Sequence, residues 1–403
     1  MNLSIAQVLT SLSFTLDYLE IDMRNNVTNH NKRLAYIAGA IGELYGFSQG
    51  ELSDLYMYSL LHDNGVAKAF PHNTGSLNRY QVELKKAHCI IGEKNIANFP
   101  FLKKRENVIL YHHERADGTG LFEIPIEEVD IFSQIIHLAD AIELLYSSGI
   151  KPKEIKENIN SLVNIYFSRE LINIFYELTL TSEFWLSMDN IFLDKSFLKK
   201  IPQIHTAKSY GELIPVAQVY ANIIDGKSSF TLNHSTGFAN KAALLANYYG
   251  FNNTRTDKII LAALLHDLGK LILSKAILDK PGKLTQDEYT QVKYHTFYTR
   301  KALETIEGFE DITEWASNHH EKLNGSGYPL GHMEEQLDFE SRMFACLDIY
   351  QALTEERPHR ARMNHEEALK ILEKMAASGE IQSSIVKDIK EVFRDEGIEA
   401  YEL

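Results

Sequence analysis

One set of histidines and aspartates occurs twice along this chain of 403 residues. In each half the step from the first His to a His-Asp pair is 32 residues, and the step from a third His to a His-His pair is 24 residues. Chance does not place two such sets in register, so the sequence predicts a tandem duplication. The first copy of the set is His30, His62, Asp63, His88, His112, His113 and Asp140, and the second is His234, His266, Asp267, His295, His319, His320 and Asp348.

Apolar residues recur with helical periodicity along most of the chain, while alternating strand patterns are scarce. Two equivalent amphipathic stretches, Asn31–Tyr45 and Ser235–Tyr249, are each followed by a glycine that is typical of a helix end. Thr285 and Glu288 form a capping-box pair before the stretch that carries His295. The predicted fold class is therefore all-α.

The repeat covers nearly the whole chain and predicts two tandem helical domains. We expect the first domain to span residues 1–195 and the second to span residues 205–403. The stretch Asp194–Ser209, with its Lys-Lys pair and Pro202, is the expected connection.

Composition restricts the function and the location of the chain. The formal net charge of −14 argues against a protein that binds nucleic-acid polymers or anionic membranes. No apolar stretch is long enough to cross a membrane, and the N-terminus does not resemble a signal peptide. The two cysteines, Cys89 and Cys346, suggest neither a disulfide framework nor a zinc knuckle, so we expect a cytoplasmic protein.

The second copy has the residue types of a hydrolytic metal site. Such a site needs several imidazoles and carboxylates that converge from separate helices and leave coordination positions open. Neighbouring residues on a helix point about 100° apart, so Asp267 can reach sideways to bridge two ions while His266 binds one. Lys270 lies three residues after Asp267, and we expect both on one helix face, where the lysine can hold a phosphate oxygen.

Beyond the ligands, the second copy contains a set of short motifs. They are His266-Asp267-Leu268-Gly269-Lys270, Lys280-Pro281-Gly282, His295, the run from His319-His320-Glu321 to Gly327-Tyr328-Pro329, Asp348 with Ala352-Leu353-Thr354, and Arg357-Pro358. With these motifs the chain resembles, over about residues 205–403, the HD-GYP phosphodiesterases, a branch of the HD hydrolase superfamily. That family is all-helical, holds two or three metal ions and hydrolyses cyclic dinucleotides.

The resemblance implies a role for each matching residue. His234, His266 and Asp348 would hold one metal ion, and His295, His319 and His320 would hold the other. Asp267 would bridge the two ions and, with Lys270, would be catalytic. Lys270, Arg357 and Arg360 would contact the phosphates, and Gly327, Tyr328 and Pro329 would shape the nucleotide pocket. A plain core aromatic is the alternative for Tyr328.

Four positions of the second copy depart from the family pattern. Family members with three metals have a Glu where this chain has Phe230, and they often have an Asp where it has Gln351. Both changes remove anionic ligands, so we expect two metal ions. Thr299 and His359 replace a glycine and an aromatic residue, and they leave the substrate preference open.

The first copy keeps every predicted metal ligand and lacks the predicted substrate contacts. Val66 stands at the position of Lys270, Leu121-Phe122 replaces Tyr328-Pro329, and Gly149 and Pro152 replace the two arginines. The pattern predicts a degenerate HD-GYP-like domain with a regulatory or scaffold role. Residual catalysis is the alternative.

Together these observations predict a metal-dependent phosphoric diester hydrolase that converts cyclic di-GMP or 3′,3′-cyclic GMP-AMP to the linear dinucleotide. The cofactors would be two divalent transition-metal ions, with Fe or Mn first and with Zn, Ni, Co or Mg open. Whether the chain forms a homodimer stays open. Two alternatives are a non-catalytic module that binds nucleotides or proteins and an HD hydrolase of another nucleotide phosphoester.

Overall fold

Helices make up almost all of the regular secondary structure of the computed structural model. It describes residues 3–24, 29–69, 78–97, 99–228, 234–356 and 361–394. The strands found within these residues are Leu3–Ser4 and Thr206–Ala207, of two residues each. The all-α prediction is therefore confirmed.

The described residues divide into an N-terminal unit, Ser4–Thr206, and a C-terminal unit, which begins at Ala207 and also includes Leu3. The boundary falls within the stretch predicted to be the connection. The helices of the N-terminal unit are α1 (Ile5–Arg24), α2 (His30–Tyr45), α3 (Gln49–Leu60), α4 (Val66–Ala69), α5 (Asn78–Ile96), α6 (Ile131–Ser147), α7 (Pro152–Ser161), α8 (Arg169–Leu178), α9 (Glu183–Ser187) and α10 (Leu193–Lys200).

The C-terminal unit repeats the arrangement of the helices that carry the duplicated residues. Its helices are α11 (Ile214–Lys227), α12 (His234–Tyr248), α13 (Asn253–Leu265), α14 (Lys275–Leu278), α15 (Gln286–Leu303), α16 (Glu310–Ser317), α17 (Phe339–Thr354), α18 (His365–Ala377) and α19 (Ser383–Val392). Short 3₁₀ turns lie at Ile126–Glu128, Gly211–Leu213, Leu268–Ile272 and Glu334–Gln336.

In each unit the helix that begins at the first His of the set lies at the centre. α2 packs against α3 and α6, and α12 packs against α13 and α17. The seven residues of Ile259–Leu265 in α13 are all buried, and each fully buried aliphatic side chain contributes roughly 1.5–3 kcal/mol. The helix ends that carry the repeated residues therefore lie in the core.

The helix ends follow the predicted signals. Gly46 and Gly250 adopt left-handed backbone angles (φ of 95° and 68°), which a residue with a Cβ rarely adopts. Thr285 and Glu288 make the predicted capping box at the start of α15. These prediction details are confirmed.

Cys89 and Cys346 are both buried and free. Within the described ranges, no helix has the length and hydropathy that a membrane crossing requires.

Candidate active site

The predicted ligands of the C-terminal unit come from five separate places in the chain. His234 begins α12, His266 directly follows α13, His295 lies in α15, His319 follows α16, and Asp348 lies in α17. Six of the seven predicted ligands are buried, and the side chain of the seventh, His320, is 27% exposed. The helix ends therefore place the ligands in the core and leave one side within reach of solvent.

Three of the histidines make the same kind of hydrogen bond, from Nδ1 to the backbone carbonyl three residues earlier. The Nδ1–H of His266 donates to Ala263 O (2.8 Å), that of His295 to Val292 O (2.6 Å) and that of His319 to Ala316 O (2.7 Å). Because Nδ1 carries the proton in each ring, Nε2 presents its lone pair to the interior of the site.

The ligand atoms form two groups, one from His234, His266 and Asp348 and the other from His295, His319 and His320. Asp267 lies between the groups. Its Oδ2 is 3.2 Å from His266 Nε2 and 3.7 Å from His234 Nε2, while its Oδ1 is 3.4 Å from His295 Nε2. One carboxylate thus offers one oxygen to each group, which is the arrangement that a bridging role requires.

Burial and neighbouring charges set the protonation of these groups. Burial holds the pKa of His295 down at about 3, although Asp267 opposes the shift. Burial and the nearby His320 hold the pKa of His319 well below its ordinary value. Burial opposes the charged form of His234 as well, but the carboxylates of Asp348 and Glu355 outweigh it and raise the pKa of His234 to about 9. Carboxylates that stabilise a proton here would also stabilise a metal cation.

The donor set fits divalent metal ions. His234 Nε2 and His266 Nε2 are 3.3 Å apart, and His295 Nε2 and His319 Nε2 are 3.2 Å apart. In the second pair both Nδ1 atoms carry the proton, so neither Nε2 can donate to the other. Asp267 Oδ1 is buried and accepts no hydrogen bond from the described residues. Converging lone pairs of this kind are satisfied by a cation.

Lys270 lies beside the ligand groups, but it does so from a 3₁₀ turn and not from the α-helix that was expected. α13 ends at Leu265, and Lys270 belongs to the 3₁₀ turn Leu268–Ile272, so the expectation that it shares an α-helical face with Asp267 is wrong. The 3₁₀ turn places residues three apart in line. Lys270 Nζ therefore lies 2.5 Å from Asp267 Oδ2, and its side chain is 21% exposed.

The Gly-Tyr-Pro turn lies at the partly exposed side of the site. The ring of Tyr328 lies 4.9 Å from that of His320, and its backbone N–H donates to His320 O (3.2 Å). A Cβ on Gly327 would lie 2.4 Å from Lys322 N, so this glycine is required by close packing. Gly325 supplies the left-handed angle, with φ of 72°.

Glu321 holds this turn in place, a role that its position in the sequence did not indicate. Its buried carboxylate accepts hydrogen bonds from the backbone N–H groups of Leu330 (2.7 Å), Gly331 (3.2 Å) and His332 (3.0 Å). The turn that carries Tyr328 and Pro329 is therefore tied to the residue next to His320.

Two other positioning residues also escaped the sequence analysis. Glu355 Oε2 is 2.9 Å from His234 Nδ1 and fixes that ring. Asp225 accepts hydrogen bonds from the backbone N–H of Ser235 (3.1 Å) and its hydroxyl (2.7 Å), which fixes the start of α12. An acidic residue before the first His was the available signal, since Asp17 likewise accepts from Asn31 N in the N-terminal unit.

Several residues named from the sequence lie outside the described part of the chain or outside the two ligand groups. Arg357, Arg360, Phe230 and His359 lie outside the described residues. Gln351 Oε1 accepts a hydrogen bond from Lys241 Nζ (2.6 Å). Thr299 packs beneath the site, where its hydroxyl accepts from Gly269 N (2.9 Å).

The predicted ligands of the N-terminal unit also converge. His30, His62 and Asp140 form one group, and His88, Cys89, His112 and His113 form the other. Asp63 again lies between them, with Oδ2 3.3 Å from His62 Nε2 and Oδ1 3.4 Å from His88 Nε2. Val66, at the position of Lys270, is buried.

Paired His-Asp clusters in a helical core define an HD-domain protein, and comparison with known families agrees. Residues 27–145 and residues 218–385 each match the profile of an HD domain. The whole chain is 30% identical over 399 residues to the 3′3′-cGAMP-specific phosphodiesterase 1 of Vibrio cholerae, covering 95% of this chain and 90% of the relative. The 3′3′-cGAMP-specific phosphodiesterase 3 of the same organism is 27% identical, with 92% and 90% covered.

A solved structure shows the same fold. The crystal structure of a cyclic GMP-AMP specific phosphodiesterase of V. cholerae superposes with a TM-score of 0.69 at 23% identity, covering 98% of both chains. The chain therefore belongs to the HD-GYP phosphodiesterase family of the HD hydrolase superfamily, in its tandem arrangement.

Proposed function

We propose that this chain hydrolyses a 3′–5′ phosphodiester bond of a cyclic dinucleotide and releases the linear dinucleotide. The position of Asp267 carries the proposal, because its two oxygens face two separate histidine groups beside a lysine. The full-length likeness to relatives named for this activity supports it.

The proposed cofactors are two divalent ions, with iron or manganese first. His234, His266 and Asp348 would hold one, His295, His319 and His320 would hold the other, and Asp267 would contact both. When bound, such ions lower the pKa of water and neutralise phosphate charge. Gln351, which is engaged by Lys241, supports two ions rather than three.

Lys270 is the proposed partner of the reacting phosphate. Its ammonium group lies beside Asp267 and remains partly exposed, so a phosphate oxygen can replace part of its hydration. We propose that it neutralises charge on the equatorial oxygens and gives its proton to the leaving 3′ oxygen. Tyr328 and Pro329 would form one wall of the nucleotide pocket, and Arg357 and Arg360 would contact the second phosphate.

The hybrid 3′,3′-cyclic GMP-AMP is the proposed preferred substrate. The two relatives described above match nearly the whole chain and carry this substrate in their names. A relative named cyclic di-GMP phosphodiesterase, from Pseudomonas aeruginosa, matches only 35% of the chain.

The N-terminal unit is proposed to be a degenerate HD-GYP-like domain with a regulatory or scaffold role. Buried Val66 offers no charge to a phosphate. The His-Asp cluster of the N-terminal unit supports a domain that keeps its metal ligands and lacks substrate contacts.

Turnover assays test the proposal directly. Protein loaded with manganese or iron is incubated with 3′,3′-cyclic GMP-AMP, cyclic di-GMP and cyclic di-AMP, and the products are separated by chromatography. We expect linear dinucleotide to form fastest from the hybrid substrate. Saturable binding without turnover under any metal would favour a non-catalytic signalling module instead.

A further inference from the structure

We propose that His88, Cys89, His112 and His113 of the N-terminal unit form a thiolate-containing metal site of the zinc type, distinct in its chemistry from the site of the C-terminal unit. This inference does not depend on the activity proposed above. The ligand atoms of these four residues all lie within 4.8 Å of one another.

The sulfur lies beside two of the three histidines. Cys89 Sγ is 3.5 Å from His88 Nε2 and 3.9 Å from His112 Nδ1, and the Cys89 side chain is fully buried. His88 and His112 are buried with it, and their Nε2 atoms are 3.4 Å apart.

The rings are oriented to accept a cation. His112 Nδ1 donates to Ile109 O (2.6 Å), so His112 Nε2 presents its lone pair to the interior of the group. His88 Nε2 lies 3.4 Å from that atom and 3.5 Å from Cys89 Sγ. The simpler alternative is a group without metal, in which His88 Nε2–H donates to His112 Nε2.

The equivalent position in the C-terminal unit shows that the thiol is a change of chemistry. Thr296, which follows His295 as Cys89 follows His88, donates its hydroxyl to Lys293 O (3.0 Å) and has no sulfur to offer a metal ion. Imidazole with thiolate selects zinc and similarly soft ions, while imidazole with carboxylate also suits iron and manganese. The two units should therefore prefer different metals.

The charge of the N-terminal group suits a divalent ion. Asp63 Oδ1 lies 3.4 Å from His88 Nε2, so one carboxylate and one thiolate would balance the charge of Zn²⁺ in this buried place. On binding, the thiol loses its proton to solvent. With Asp63 as a neighbouring charge and not a ligand, the three histidines and Cys89 would supply the four ligands that are typical of a structural zinc site.

Cobalt substitution tests the proposal on the full chain. The protein is stripped with chelator under reducing conditions and titrated with Co²⁺, which absorbs strongly in the near ultraviolet only when a thiolate is bound to it. The chain has two cysteines, so Cys346→Ser is the matched control. We expect the band in the wild type and in the control, and its loss in Cys89→Thr, which installs the residue found at the equivalent position.

A second measurement needs no variant and so does not depend on how Cys89→Thr folds. X-ray absorption of the zinc-loaded wild type should show a sulfur neighbour at about 2.3 Å. Zinc bound with nitrogen and oxygen neighbours alone would overturn the proposal. The same conclusion would follow if the cobalt band persisted in Cys89→Thr or were absent from the wild type.

Discussion

In each unit a carboxylate contacts Nδ1 of the first histidine, but the carboxylate comes from a different position of the repeat. In the N-terminal unit, Glu143 on α6 contacts His30 Nδ1 (2.5 Å) and Arg33 Nε (2.7 Å). In the C-terminal unit that position of α17 is Gln351, Arg33 is replaced by Gly237, and Glu355 one turn further contacts His234 Nδ1 (2.9 Å).

The residues at these two positions differ between the units as a pair. A Cβ on Gly237 would lie 2.7 Å from Gln351 Nε2, so the glycine and the glutamine fit each other as the arginine and the glutamate do. Buried polar groups must be satisfied as sets, and a change in one partner requires a change in the other. The two units therefore share the spacing of their ligands but differ in the hydrogen bonds that surround the first histidine.

The largest expected difference between the units concerns the two bridging aspartates. Asp267→Asn removes the charge that both histidine groups face, and we expect kcat to fall by about 10³-fold and metal content to decrease. Asp63→Asn makes the same change in the N-terminal unit and should alter kcat by less than about twofold. Steady-state kinetics and elemental analysis measure both variants. Equal losses in the two variants would contradict the division of roles between the units.

The next comparison exchanges the residues at the lysine position. Lys270→Val gives the C-terminal unit the residue of the N-terminal unit, and we expect kcat to fall by about 10²-fold because a general acid and a phosphate contact are lost. Metal content should not change. Val66→Lys in the Asp267→Asn background should restore no turnover, since the N-terminal unit lacks other substrate contacts as well. Single-turnover kinetics with the cyclic dinucleotide separates chemistry from binding.

A smaller effect is expected from the carboxylates that orient the first histidine. Glu355→Gln keeps the size of the side chain but removes its charge, so we expect the affinity of the C-terminal unit for metal to fall by about tenfold. Glu143→Gln should leave that affinity unchanged. Competition with a metal-binding dye measures it, and unchanged affinity in Glu355→Gln would show that Glu355 does not position His234 for a metal.

Much of this site could be predicted because its spacing is fixed by helices. The 32- and 24-residue steps bring equivalent ligands to equivalent helix ends in each unit, and the convergence follows from the fold. Glu355 could not be predicted in the same way, because its partner His234 lies 121 residues away and the N-terminal unit makes the equivalent contact from another position, Glu143. Asp225 has a counterpart in Asp17, but the two lie 9 and 13 residues before the first His, so the repeated spacing does not align them.

The position of Lys270 shows a different limit. The sequence shows that Lys270 lies three residues after Asp267, but it does not show whether the backbone between them is α-helical or 3₁₀. Here α13 ends at Leu265, before the His-Asp pair, and Lys270 lies in a 3₁₀ turn. Cys89 forms no CxxC pair, so the sequence gives no sign that it is a ligand. Its contact with His112 arises only when α5 packs against the turn that carries His112.

The smallest effect is expected at the glutamate after the His-His pair, where the units are most alike. Glu321 accepts backbone hydrogen bonds from the turn of Tyr328, and Glu114 accepts from Phe122 N (2.6 Å) and Ile124 N (3.0 Å) in the same way. We expect Glu321→Gln and Glu114→Gln to lower the free energy of unfolding by similar amounts, about 2 kcal/mol each, because a charged acceptor is lost. Only Glu321→Gln should raise KM, by about fivefold, which corresponds to ~1 kcal/mol of substrate binding. Denaturant unfolding and steady-state kinetics measure the two quantities. A rise in KM in both variants, or in neither, would mean that the turn in the C-terminal unit does not form a wall of the nucleotide pocket.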